Sequence, residues 1–357
     1  MNIRFFLLSR VVPMALAALP SVGCSSEAQN VALEDLSSPL MGAPEDTSHA
    51  FAVGVCQGAL NTDPAKGPVG TCRSGTAKCS GTLIAPNLVL TARHCVAGAD
   101  YGPNAATNPC DATFNTNVLA PGGTRITTSP SVYVGTPKWY DVAEVLVPSA
   151  ASYCAADVAL LVLQSNVPHR EARPAEVDVA RDLARRPVSE VAIVGRGGID
   201  QTFELDANGD WTGNTTVDRG DLLRRLAEHV PFLCASNGPS LCTVVDHEVP
   251  TTHVYQLPVE QFLVGGPAGV SGDSGAGVFE QRTFAKPRRA TVLGVASWNF
   301  IGPDGKPSPN SGVQRLDVHQ AFLREGAEKA AKSGHYELPE WAEHCGRGDR
   351  RVFGGHR

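Results

Sequence analysis

Three short segments of this 357-residue chain carry side chains that could act together on a carbonyl group. In residues 270–279 (VSGDSGAGVF), Ser274 sits in a glycine-rich turn. Such a turn can expose the hydroxyl, and the backbone of Gly272, Asp273, Ser274 and Gly275 can point N–H groups outward to hold an oxyanion. A serine hydroxyl is a weak nucleophile alone, so the reading requires a base and a group that orients the base. Residues 91–95 (TARHC) supply the base, His94, just past an apolar strand-like run. Residues 156–161 (ADVALL) supply a carboxylate, Asp157, at the head of another. A charged Asp leading into an apolar strand is costly unless paired. A histidine N–H would pair it, and the pairing would fix the imidazole tautomer.

The elements that must position these groups are short. Residues 81–90 (GTLIAPNLVL), 157–163 (DVALLVL), 191–194 (VAIV) and 291–296 (TVLGVA) are brief runs rich in Val, Ile and Leu. They are broken by Gly, Pro, Asn and Asp, and they read as strands. With 36 Gly and 26 Pro, the pattern predicts an all-β barrel or sandwich. One stretch, residues 316–331, has apolar residues near helical spacing and predicts a C-terminal helix. Two polar inserts, 200–221 and 299–311, read as surface loops, and no internal repeat is found.

The segments occur in the order His, Asp, Ser, and they resemble the motifs of chymotrypsin-like serine peptidases. TARHC resembles that family's TAAHC, DVALL its DIALL, and GDSGAGV its GDSGGPL. Ser297-Trp298-Asn299 resembles the Ser-Trp-Gly that follows the nucleophile, and Val194-Gly195-Arg196-Gly197 the Thr-Gly-Trp-Gly that opens the second barrel. The resemblance spans roughly residues 40–331. It implies an all-β fold of two six-stranded antiparallel β-barrels with a C-terminal helix. It implies a serine endopeptidase with His94, Asp157 and Ser274 as the triad and the N–H groups of Gly272 and Ser274 as the oxyanion hole. Ser297 would support Asp157, and Cys79 with Cys95 would match a family disulfide. Cys234 falls at a position often bridged in the family, with Leu263 at its usual partner's place, so a local Cys234–Cys242 bridge is expected instead. Leu40-Met41-Gly42-Ala43 resembles the Ile-Val-Gly-Gly that opens mature enzymes, so a new amine at Leu40 pairing with Asp273 would activate a zymogen. The departures bear on specificity. The pocket floor falls at Ala268 and Gly269, with no Asp, and Val270 replaces a disulfide Cys. Asn299 replaces a wall Gly beside Trp298 and narrows the entrance. Cleavage after small or medium apolar residues is the expectation.

Composition limits the alternatives. Hydrophobic residues make up 42% and charged residues 18%, enough for a real core, and the formal net charge of −6 gives no broad attraction to nucleic acid. Residues 1–28 read as an export signal, with Arg4 and Arg10 before a short apolar stretch. Two outcomes stand open. Ser21-Val22-Gly23-Cys24 resembles a bacterial lipobox, which would lipidate Cys24, and ordinary cleavage near Ala28 is the other. Residues 29–39 read as a linker or propeptide, 40–332 as the peptidase domain and 333–357 as a tail. Ten Cys in an exported chain point to disulfides, and loss or lipidation of Cys24 leaves an odd thiol. The expected setting is outside the cytoplasm, secreted or lipid-anchored to a bacterial envelope. The expected partners are protein or peptide substrates, for a monomer with no cofactor and no metal. His247-Glu248 and His253 miss the HExxH spacing, and Asp206 begins a calcium-like run that lacks the required Gly and Glu. An inactive binding homologue and an esterase using the same triad are the competing functions.

Overall fold

The apolar runs form strands that close into two barrels. The computed structural model describes residues 40, 43–73, 78–100, 109–208, 211–236, 242–247, 252–266, 269–284, 286, 289–302 and 304–343. The expected export signal and linker, Cys24, Ala268, Cys345 and residues 344–357 lie outside the described residues.

The first half contains β1 (Ala52–Gln57), β2 (Lys78–Ala85), β3 (Leu88–Thr91), β4 (Ala97–Asp100), β5 (Thr113–Val118), β6 (Thr124–Thr127), β7 (Trp139–Leu146) and β8 (Ala159–Leu163). The order β1-β2-β3-β8-β7-β6 closes on itself, and β4 and β5 form a separate hairpin. The run 81–90, read as one strand, is two. Pro86 and Asn87 turn the chain, and Ala85 pairs with Leu88. Both arms stay buried, because one face fills the barrel and the other packs against neighbouring elements.

After the two-residue β9 (Glu176–Val177), the second half contains β10 (Glu190–Gly195), β11 (Asp200–Leu205), β12 (Trp211–Asp218), β13 (Arg225–Ala235), β14 (Thr243–His247), β15 (Thr252–Gln256), β16 (Gln261–Val264), β17 (Gly277–Glu280), β18 (Thr291–Ile301) and β19 (Pro307–Arg315). The order β17-β10-β13-β16-β19-β18 is closed by pairing of β17 with β18, and β9 joins β18 in parallel. The two inserts expected as loops instead carry strands. β11 and β12 of the first insert form a separate two-stranded hairpin. The 299–311 insert extends β18 and β19, with Ile301 opposite Pro307. Thr, Val, Phe and Trp in the first insert and Phe300 and Ile301 in the second suit a half-exposed ladder.

The C-terminal helix begins later than its pattern suggested. Gly294 on β18 pairs with Arg315, and Leu316 N–H bonds the Leu293 carbonyl, so the sheet takes residues 315–316. After the short α1 (Tyr153–Ala156) and α2 (Gln281–Phe284), α3 (Gln320–Gly334) buries Leu323, Gly326, Ala327, Ala330 and Ala331, one face at helical spacing. The packed chain continues past position 332, since Trp341 and Ala342 of α4 (Glu340–Glu343) join the same core.

Two buried arginines tie the halves together. Arg196 donates to the carbonyls of Pro130 (2.6 Å) and Ala52 (2.9 Å) in the first barrel. Arg224 donates to Asp46 Oδ2 (2.8 Å) and to the carbonyls of Thr128 and Ala52. Burial would raise the Asp46 carboxyl, but His49, the Ser48 N–H and Arg224 pull it down to about 2. Four disulfides join Cys56 to Cys72, Cys79 to Cys95, Cys110 to Cys154 and Cys234 to Cys242.

Candidate active site

His94 lies in a single 3-10 turn, Arg93–Cys95, directly after β3. The Cys79–Cys95 bridge ties this turn back to β2. Asp157 closes α1 and immediately precedes β8. Because Thr91 pairs with Ala159, the two residues meet at the same end of neighbouring strands. Asp157 is 0% exposed. Its Oδ1 accepts the His94 backbone N–H (2.9 Å), and its Oδ2 lies 2.8 Å from His94 Nδ1 and accepts from Ser297 Oγ. A buried carboxylate requires this many donors to offset lost hydration.

The Ser274 loop is clamped from the other side of the cleft. The Ser80 N–H donates to the Ser274 carbonyl (2.8 Å), and Ser80 Oγ donates to that of Gly272 (2.8 Å). Cys95 Sγ lies 3.7 Å from the same Ser274 carbonyl, which sets the loop beside the residue next to His94. Two positions demand glycine. Gly272 has φ +109°, and Gly275 has φ +84° with space for no Cβ, which would fall 2.2 Å from the Ser80 carbonyl oxygen. Among the described residues, the N–H groups of Gly272 and Ser274 donate to no protein acceptor, and no hydrogen bond joins Ser274 Oγ to His94. Catalytic contacts of this kind are often long without substrate and tighten when it binds.

Asp273, next to Ser274, is buried. It accepts from the N–H groups of Gly197 (2.6 Å) and Val270 (3.0 Å). Burial outweighs these donors and pushes its carboxyl up to about 7. Leu40 is 2% exposed and packs into the second-barrel core. It shares with Asp273, Ser274, Gly269, Trp298 and Asn299 the lining of a cavity of about 280 Å3. Among the described lining residues Asp273 is the sole carboxylate. Asn299 Nδ2 donates to the Gly269 carbonyl, so its side chain spans from one wall to the other. Trp298 is fixed by Nε1 donating to Gln261 Oε1 (3.0 Å) and by Phe300 edge-on.

Sequence reasoning missed several neighbours. Ser80 is one, and Gln201 is another. Gln201 Oε1 accepts the Ser271 N–H (2.7 Å), so the β11–β12 hairpin holds the residue before Gly272. Arg93 is buried, donates to the Pro148 and Ala150 carbonyls, and lies over the Phe114 ring at 4.3 Å. Burial lowers its guanidinium and Asp157 opposes that. Tyr153 places its hydroxyl 2.9 Å from His94 Nδ1. Its one advance signal was position, four residues before Asp157 and adjacent to Cys154.

The family model described as Trypsin matches residues 61–206. The matched span holds His94 and Asp157 and ends before Ser274. No curated protein matches the chain.

Proposed function

The chain belongs to the chymotrypsin/trypsin-like serine peptidase family, and we propose that it is a serine endopeptidase acting through an acyl-enzyme on Ser274. The observation that carries this reading is the buried Asp157 carboxylate against His94 Nδ1. It favours the tautomer with the proton on Nδ1, leaving the Nε2 lone pair to accept the Ser274 proton. Ser274 Oγ then bonds the scissile carbonyl carbon, and the oxyanion is received by the N–H groups of Gly272 and Ser274. The tetrahedral intermediate collapses as His94 passes the proton to the departing amine. Water, deprotonated by His94, releases the acid and restores Ser274. Asp157 keeps the imidazolium oriented throughout, and Ser297 holds Asp157.

The walled cavity and the Asn299 strap support small or medium apolar residues at the position before the cut. Protein and peptide chains are the substrates. The burial of Leu40 in the cavity that Asp273 lines supports a zymogen in which a cut before Leu40 delivers an amine to Asp273. Four disulfides fit an extracellular setting, and no helix among the described residues is long and apolar enough to cross a membrane. Export by residues 1–28, with a lipid anchor at Cys24 or free secretion, completes the proposal.

The open Ser274–His94 contact is the observation that favours the inactive binding homologue. A fluorophosphonate probe separates the two. The full chain, the chain cut before Leu40 and Ser274→Ala are labelled, and the site is read by peptide mass. Labelling at Ser274 only after the cut supports both hydrolase and switch. Labelling of the uncut chain keeps the hydrolase and removes the switch. Absence of labelling in folded protein of either form selects the binding homologue.

A further inference from the structure

His94 Nδ1 has two oxygen neighbours where the triad needs one. Asp157 Oδ2 lies at 2.8 Å and the Tyr153 hydroxyl at 2.9 Å. The Tyr153 ring is 5% exposed and lies nearly parallel to the imidazole, with planes 19° apart. Its far face stacks on Phe114 at 5.2 Å and 12°. Its backbone N–H donates to the Ala112 carbonyl (3.1 Å), and the next residue is bridged to Cys110. Phe114 in turn sits under the Arg93 guanidinium, whose Nη1 donates to the Pro148 and Ala150 carbonyls. A phenol held by a stack, a strand-end hydrogen bond and a disulfide has little freedom to leave Nδ1.

We propose that Tyr153 is a positioning residue for the general base, sharing the His94 Nδ1–H with Asp157. With the proton on Nδ1, the carboxylate takes the stronger part of a forked hydrogen bond and the phenol oxygen the weaker part. A carboxylate alone fixes the tautomer but lets the ring swing about the Nδ1–O line. A second acceptor off that line fixes the rotation and so the direction of Nε2. The proton count of the reaction is unchanged, since the Ser274 proton travels to Nε2 and back while Nδ1–H stays in place. The fork matters most when the ring is cationic, because a charged donor strengthens both arms. Among the described residues, the titratable and charged groups facing His94 and the Tyr153 hydroxyl are Asp157 from the turn before β8 and Arg93 from the turn of His94 itself.

The catalytic consequence rests on the hydrolase reading, whereas the hydrogen bond does not, and the test separates them. Tyr153→Phe keeps the ring, the stack and the disulfide and removes one oxygen. The low-field proton resonance of His94 Nδ1 is compared in wild type and Y153F at low pH, together with thermal midpoints. The expected result is a displaced Nδ1 resonance with an unchanged midpoint. An unmoved resonance overturns the proposal whether or not the protein is a hydrolase. In protein that labels, the limiting rate of fluorophosphonate inactivation should fall roughly threefold to tenfold in Y153F, the worth of one hydrogen bond. Probe affinity should hold, and the acid limb of the rate profile should move to lower pH. An equal loss in an Asp157→Asn background, or a loss without movement of the acid limb, assigns Tyr153 a structural role and overturns the positioning one. An unmoved rate in wild-type-like Y153F overturns it as well.

Discussion

Replacing Asp273 by Asn in the uncut chain should remove a pH dependence of stability that the wild type carries. Asp273 is buried with backbone donors but no cation among its hydrogen-bond partners, and its carboxyl rises from the ordinary 3.8 to about 7. Below about pH 4 the group is protonated in folded and unfolded chains alike. Between about pH 4 and 7 the unfolded chain releases the proton and the folded chain keeps it, so stability falls as pH rises, by at most ~1.4 kcal/mol per pH unit. Above about pH 7 both forms are ionised and this contribution stops changing. The whole interval amounts to about 4 kcal/mol. Urea unfolding followed by tryptophan fluorescence from pH 4 to 8.5, in a Ser274→Ala background that prevents self-cleavage, gives the two curves. Groups common to both variants, Asp46 among them, cancel in the difference. The absolute stability of Asp273→Asn is not the test, because the amide turns an NH2 toward the Gly197 or Val270 N–H. Wild type should lose about 4 kcal/mol more than the variant across the interval. Parallel curves would refute the argument, since they mean that Asp273 ionises as easily folded as unfolded. Cutting before Leu40 should flatten the wild-type curve if the new ammonium reaches the carboxylate.

Asn299→Gly removes the strap to the Gly269 carbonyl, and kcat/KM for peptides with Phe before the cut should rise about tenfold or more relative to Ala, read by peptide-library digestion. Gln201→Ala leaves the Ser271 N–H without its acceptor at 2.7 Å, a cost of about 1–3 kcal/mol, and should slow labelling of Ser274 roughly tenfold while Asn299-dependent selectivity stays put. Replacing Cys110 and Cys154 together by Ala opens a loop with a separation of 44 residues and should lower unfolding free energy by about 4 kcal/mol in urea titrations.

The candidate site residues His94, Asp157 and Ser274 were legible because each depends on local pattern. A Ser between glycines and a His and an Asp at strand ends can be read without knowing what packs on them. The structure pairs Cys79 with Cys95, the bridge the family resemblance implied, and Cys234 with Cys242, the local bridge expected because Leu263 stands at the family's usual partner position. The hairpin at Pro86-Asn87 was hidden by the unbroken burial of both its arms, which erases the alternation that marks a strand's two faces. The inserts at 200–218 and 299–311 were hidden for the opposite reason. Their residues are mostly exposed or half-buried, so polarity outweighed β-propensity in the reading. The start of α3 was misplaced because Leu316 fits a helical stripe and also closes a sheet edge, and only the pairing of β18 with β19 decides between them. Ser80, Gln201 and Tyr153 act through contacts made across the chain or by a turn geometry, and a single polar residue in a strand or loop carries no periodic signal.

The paired arginines set an order on synthesis. The first barrel leaves the ribosome before residue 196 exists, yet the carbonyls of Ala52 and Pro130 receive their guanidinium donors only from positions 196 and 224. Until then these carbonyls are hydrated, and β1 can pair with β2 and β6 but lacks the two donors that the Ala52 carbonyl receives from the second half. The cleft between the halves takes shape only when the second half arrives, so a truncated product carries His94 and Asp157 but no assembled site.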